Sequence, residues 1–166
     1  MGWLAGSVIV REVRAPELAE VGELRVRAYE AQDLLSASSS YKQTLRTLGA
    51  DGGEVLVAVD GETLLGTVML QPWGPASEVG RGADEVEMRA LAVAPSAQGR
   101  GVGGALVAAA VRRSQAAGHR HLVLSTQPAM RAAQRLYRAA GFERLPDRDW
   151  SPVPGLVLLA FGRRLD

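Results

Sequence analysis

Leu91-Ala92-Val93-Ala94-Pro95, then Gln98-Gly99-Arg100-Gly101-Val102-Gly103-Gly104, then an alanine-rich run to Ala117: this stretch decides the fold. A strand pattern ends near Val93, a short spacer containing Pro95 follows, and a glycine loop leads straight into a helix. Glycines let successive backbone N–H groups turn into a concave nest, and a helix N-terminus adds a partial positive charge, so the backbone itself can hold a phosphate. Arg100 would add a charged donor. Four Gly in the six residues from Gly99 to Gly104 exceed what a bare turn requires.

The same residues satisfy G-x-G-x-x-G from Gly99 to Gly104, the turn of a dinucleotide site. Three features oppose that reading. A spacer separates the strand from the loop, the unit lies late in the chain, and no Asp or Glu follows where a ribose-binding carboxylate belongs. The Walker pattern fails because no Lys-Ser or Lys-Thr follows the glycines.

Working outward, Gly103 to Ala117 predicts a helix closed by Gly118, His121 to Thr126 a buried strand, and Met130 to Ala140 a helix closed by Gly141. Upstream, Val8 to Val13 reads as a strand, Pro16 opens a helix with Glu17, Glu20 and Glu23 in its first turns, and Ser39 or Ser40 to Leu48 reads as a second helix. Ser36 to Ser40 is expected to be a mobile connection. Glu54 to Asp60 and Thr63 to Gln71 form a hairpin through the Asp60-Gly61 turn. After a loop from Pro72 to Asp84 comes a strand from Glu85 to Val93, and the tail ends in a strand from Leu156 to Phe161. Strands before helices in one half and alternation in the other predict a mixed α/β sheet covered by helices on both faces, as one domain spanning 1–166.

Composition narrows the function. The chain has 166 residues, 47% of them hydrophobic and 22% charged, the profile of a globular domain. It has no cysteine, which excludes disulfides, thiolate metal sites and a Cys nucleophile. Its two histidines, His119 and His121, have no nearby Asp or Glu, so no metal is expected. No stretch reads as a membrane span or secretory signal, and the expected location is the cytoplasm. Residues 1–87 hold 14 acidic and 7 basic side chains, whereas residues 88–166 hold 4 and 12. Eight Arg and no acid lie between Met88 and Phe142, a field that favours an anionic ligand. Stacking aromatics are scarce there, which argues against nucleic acid and for a small anionic cofactor.

The segment from Glu87 through Gly104, joined with Leu136-Tyr137-Arg138-Ala139-Ala140-Gly141-Phe142, resembles the GNAT superfamily of acetyl-coenzyme A dependent N-acetyltransferases. Gln98, Gly101 and Gly103 match its loop signature, and Tyr137 followed by Gly141-Phe142 matches its second mark. The resemblance runs from Val8 to Phe161. It implies a central, mostly antiparallel sheet of six to seven strands with about four helices, splayed between the strand ending near Val93 and the one starting near His121. The backbone of Leu91, Ala92 and Val93 would then pair with a pantetheine arm, and a bulge there would aim an N–H at the thioester carbonyl. Gln98, Gly99, Arg100, Gly101, Val102, Gly103 and Gly104 would grip the pyrophosphate, and Thr126 stands near the position of a further pantetheine contact.

An alkyl ammonium with a pKa near ~10.4 must lose a proton before it attacks a thioester. The resemblance puts a carboxylate for this at Glu87. Glu85 shares its strand face and is an alternative base or acceptor contact. Tyr137, with an ordinary phenol pKa of ~10, would return a proton to the leaving thiolate. Direct transfer in a ternary complex follows, because no covalent nucleophile is evident. Tyr29, Tyr41 and Trp73, with Met69 and Trp150, are candidates for the acceptor pocket. The expected acceptor is a small cationic amine, with a protein lysine or N-terminus as the alternative and a non-catalytic coenzyme A module as a third. The sequence leaves monomer and homodimer both open.

Overall fold

The computed structural model describes residues 8–35, 40–49 and 52–166. Strand β1 is Ile9–Glu12, and a single turn of 3-10 helix at Ala15–Glu17, with Pro16 in its first positions, leads into helix α1, Leu18–Ala31. Val21, Leu24, Ala28 and Tyr29 make the buried stripe of α1. Helix α2 is Tyr41–Thr47, somewhat shorter than expected, and of the connection before it residues 36–39 lie outside the described residues. Strands β2 (Glu54–Asp60) and β3 (Thr63–Pro72) form the hairpin at Gly61, whose φ of 60° suits glycine. Then come β4 (Glu85–Val93), α3 (Val102–Ala116), β5 (His121–Thr126), α4 (Arg131–Ala139), β6 (Glu143–Arg144), β7 (Trp150–Val153) and β8 (Leu156–Arg164).

These strands make one eight-stranded sheet in the order β1-β2-β3-β4-β5-β8-β6, with β7 added to β8. Every pairing is antiparallel except β4 with β5. Two short strands thus extend the expected count: β6 has only two residues, and β7 carries Pro152, which masks a strand pattern. Strand β8 runs to Arg164 because its partner β5 continues to His121, opposite that residue. Helices α1 and α3 both pack on β3 and β4, and α2 packs on α1. Leu24, Leu56, Leu106 and Leu122 are at most 1% exposed, and each such side chain contributes about 1.5–3 kcal/mol of transfer free energy.

One irregularity positions everything that follows. Strands β4 and β5 pair only from Glu85 to Glu87 against His121 to Val123, and beyond that point they diverge. A β-bulge lies in the free part of β4: Arg89 faces Met69 and Ala92 faces Thr67, so Ala90 and Leu91 together oppose Val68 alone. Ala90 sits at φ 54°, a left-handed conformation that an alanine adopts only where its surroundings enforce it.

Candidate active site

Where β4 leaves β5, a cleft of about 330 Å³ opens, lined by Leu91 and Val93 of β4, by Pro95 and Gln98, by Ala28, Ala31 and Gln32 of α1, and by Met130, Ala133 and Leu136 on the α4 side. Its wall from β4 is a strand edge without a partner, able to accept an extended chain by main-chain hydrogen bonding. Gln98 donates from Nε2 to the Val93 carbonyl at 3.4 Å, joining the loop to the strand end.

The glycine loop has the geometry its composition predicts. Gly99 and Gly101 have φ of 82° and 76°, and Gly101 caps α3 in the left-handed conformation with no side-chain cap. The first hydrogen bond of α3 runs from Ala105 N–H to the Gly101 carbonyl at 3.0 Å, so the N–H groups of the preceding turn remain free for an anion. A Cβ added at Gly99 or Gly101 would meet nothing within 4 Å, which leaves the loop open outward. Gly103 is needed for a different reason: its Cβ would fall 2.7 Å from Leu136 Cδ1, so a side chain there would push α4 from α3. Arg100 does not face the nest unpaired; its Nη2 lies 3.0 Å from Asp60 Oδ2 on the β2–β3 hairpin, both partly exposed.

At the apex, Glu87 is 2% exposed and its Oε1 accepts three backbone N–H groups, from Glu78 at 2.6 Å, Val79 at 2.7 Å and Gly80 at 2.8 Å. One oxygen therefore anchors the loop before β4. The residue also lines a small recess of about 60 Å³ with Tyr29, Tyr41, Arg89, Thr126 and Leu158 among its walls. Tyr29 and Tyr41 lie with ring centroids 6.2 Å apart, and burial pushes both phenols above their ordinary range.

Glu85 points along the same sheet face but is tied elsewhere. Arg148 grips it with two bonds of 2.8 and 3.0 Å, Arg81 N–H adds one of 2.8 Å, and His121 Nδ1 lies 3.0 Å away. Burial works to raise its pKa, but these partners outweigh it and hold the carboxyl at about 2. Glu85 is thus a tether for the loop carrying Arg148, and the expectation that either carboxylate reaches the cleft narrows to Glu87. Trp73 is 50% exposed, lies against Gly80 and does not line the recess. Thr126 borders the recess, where its hydroxyl donates to Met130 Sδ at 3.4 Å.

Tyr137, on α4, is 4% exposed and packs against Phe142 and Phe161 at 5.7 and 6.1 Å between centroids. Burial pushes its phenol well above the ordinary value, so the proton stays on oxygen at neutral pH.

A family model for the acetyltransferase (GNAT) family matches residues 18–142. The chain belongs to that family. It is an acetyl-coenzyme A dependent acyltransferase. An uncharacterized N-acetyltransferase of Schizosaccharomyces pombe is 32% identical over 116 residues, covering 69% of this chain and 67% of that one. The mycothiol acetyltransferase of Rhodococcus jostii is 38% identical over 92 residues, covering 55% of this chain and 28% of that protein. Among solved structures, a GNAT acetyltransferase of Staphylococcus aureus superposes with a TM-score of 0.73 at 15% identity, covering 96% of this chain and 99% of that one. YncA of Salmonella typhimurium, solved with acetyl-coenzyme A, superposes at 0.69 with 19% identity, covering 96% and 95%. The acetyltransferase uses the same cosubstrate. Its free loop N–H groups and open strand edge suit a pyrophosphate followed by an extended amide chain.

The sequence did not reveal several residues of this site. The walls from Ala28, Ala31 and Gln32 carry the helical spacing of an ordinary core face. The bulge that the resemblance put within Leu91 to Val93 lies at Ala90 and Leu91, starting on an alanine that gives no turn signal. Glu78, on the wall of the recess, reads in sequence as an ordinary surface charge in a loop. Among the described residues no group of three or more His, Asp or Glu comes together to hold a metal, and no helix is long and apolar enough to cross a membrane.

Proposed function

We propose that the acetyltransferase transfers an acetyl group from acetyl-coenzyme A to a small amine by direct attack within a ternary complex. The observation that carries the proposal is Glu87 at the point where β4 and β5 part, with the cofactor-sized cleft on one side and the narrow recess on the other. The bound thioester supplies an activated acyl carbon. Leu91, Ala92 and Val93 orient its arm along the free strand edge, and Gln98 through Gly104 hold its phosphates. The second oxygen of Glu87 takes the proton of the incoming ammonium, directly or through water. The left-handed turn at Ala90 directs a backbone N–H of the bulge at the developing oxyanion. Tyr137 returns a proton to the sulfur as the tetrahedral intermediate collapses. The recess, walled by Tyr29, Tyr41 and Leu158, suits a slender amine better than a folded protein surface.

Titration with acetyl-coenzyme A by calorimetry, beside Gly101→Asp, tests the cofactor half of this reading. Asp is among the few residues that reach a φ of 76°, at some strain, and it sets a negative charge at the nest. Binding that is clear in the native protein and lost in the variant is expected. Equal affinity of the two proteins would overturn the loop assignment. Thiol release with a panel of amines then tests transfer.

A further inference from the structure

Arg25 is a buried charge beside Tyr29, Tyr41 and Arg89 of the recess wall, and the proposed chemistry does not use it. It is 1% exposed, and its Nη1 donates to the carbonyls of Leu45 and Leu48 at 3.0 and 2.7 Å. Its Nε and Nη2 have no hydrogen-bond partner. The titratable groups that act on it are Tyr29, Tyr41 and Arg89, with no carboxylate among them. An uncompensated guanidinium in the interior is costly, and an anion bound nearby would offset that cost.

Its neighbourhood points outward to a cavity. A Cβ added at Gly49 would lie 4.0 Å from Arg25 Nη2, and Gly49 lines a second hollow of about 240 Å³ with Thr44, Thr47, Met69 and Arg89. Arg89 lines both this hollow and the recess of Glu87. The Arg89 side chain is only 11% exposed, and its Nη2 meets Glu78 Oε2 at 2.9 Å. Glu78 is a poor permanent partner. Burial raises its pKa against the pull of Arg89, and Glu87 raises it further.

We infer that the amine accepted by this enzyme also carries a carboxylate, which Arg89 binds within the recess, while Glu87 faces the amino group. The acceptor class is a free amino acid or a close analogue. The inference rests on the proposed transfer reaction and deepens it. It also separates the two acceptor classes left open by the sequence, since a lysine side chain within a protein presents no α-carboxylate. The planar fork of Arg suits a carboxylate in two parallel bonds, a geometry a lysine would not supply.

The test is acetylation of a panel of α-amino acids, each beside its carboxamide and its decarboxylated amine, followed by thiol release. The acid is expected to exceed its carboxamide in kcat/KM by about 10- to 100-fold, since a site built for a charged group rejects the analogue lacking it. In Arg89→Gln the KM for the acid should rise by a similar factor while kcat/KM for the carboxamide changes less than about threefold. Rescue of part of the KM by Arg89→Lys would match loss of charge rather than loss of packing. Carboxamides or simple amines accepted as well as the acids would overturn the inference and leave acetyl transfer standing. No turnover of any amino acid by protein that binds acetyl-coenzyme A would also overturn it. Failure to bind acetyl-coenzyme A would sink the transfer reading beneath it.

Discussion

Replacing Glu87 with Gln and with Ala separates two jobs that one side chain combines. Its Oε1 accepts the N–H groups of Glu78, Val79 and Gly80, and its carboxylate stands at the apex of the cleft. Gln keeps a carbonyl oxygen in the anchoring position but cannot take a proton. Hydrogen bonds to a charged acceptor are worth about 1.5–3 kcal/mol and neutral ones about 0.5–1.5, so three bonds weakened together cost about 3–4.5 kcal/mol. Ala removes the acceptor, leaves three N–H groups seeking water, and opens a void, a larger loss of about 5 kcal/mol or more. For the reaction, a missing general base lowers kcat by about 10²- to 10⁴-fold in both variants. Urea unfolding would measure stability, and thiol release at saturating acetyl-coenzyme A would measure kcat. Activity of Glu87→Gln within threefold of the native enzyme would refute the base assignment. Equal stability of the Gln and Ala variants would refute the anchoring argument.

Two further outcomes follow from the same geometry. Tyr137→Phe keeps the packing against Phe142 and Phe161 and removes only the hydroxyl, so the expected result is unchanged stability with kcat lowered about 10²-fold or more; unchanged kcat would show the ring to be core alone. Glu85 is held at a pKa of about 2 against an ordinary value of 4.5, so the stability it adds is full above about pH 4.5 and disappears as the pH falls toward 2. Arg148→Met should therefore flatten the acid limb of a thermal-melting series over that window and lower stability at neutral pH by about 2–3 kcal/mol; an unchanged acid limb would contradict the tether.

The charge pattern shows how a sequence feature can serve two ends. The acid-poor second half reads as a field for an anionic ligand, yet part of it is consumed by pairing with the acidic first half. Arg89 meets Glu78, Arg100 meets Asp60, and Arg113 meets both Glu12 and Glu54. Such partly exposed pairs contribute little stability, but they fix which side chains face a ligand. The expectation that Arg100 stands ready for a phosphate is thus qualified by its carboxylate partner on the hairpin.

What the sequence by itself determined is local. The glycine loop, the strand ending at Val93, the helix it feeds and the hairpin at Gly61 follow from backbone freedom and side-chain period, which need no distant partner. The candidacies of Glu87 and Tyr137 came through the family resemblance. Tertiary structure decided what depends on two segments meeting. It set Glu85 against Arg148 and His121 and left Glu87 at the parting of the strands, although strand parity treats the two carboxylates alike. It bent the strand at Ala90, where no residue type announces a bulge. It buried Arg25 with two of its three guanidinium nitrogens unpaired. Burial, pairing and cleft formation are properties of surfaces brought together across the fold, and periodicity along a chain carries no record of them.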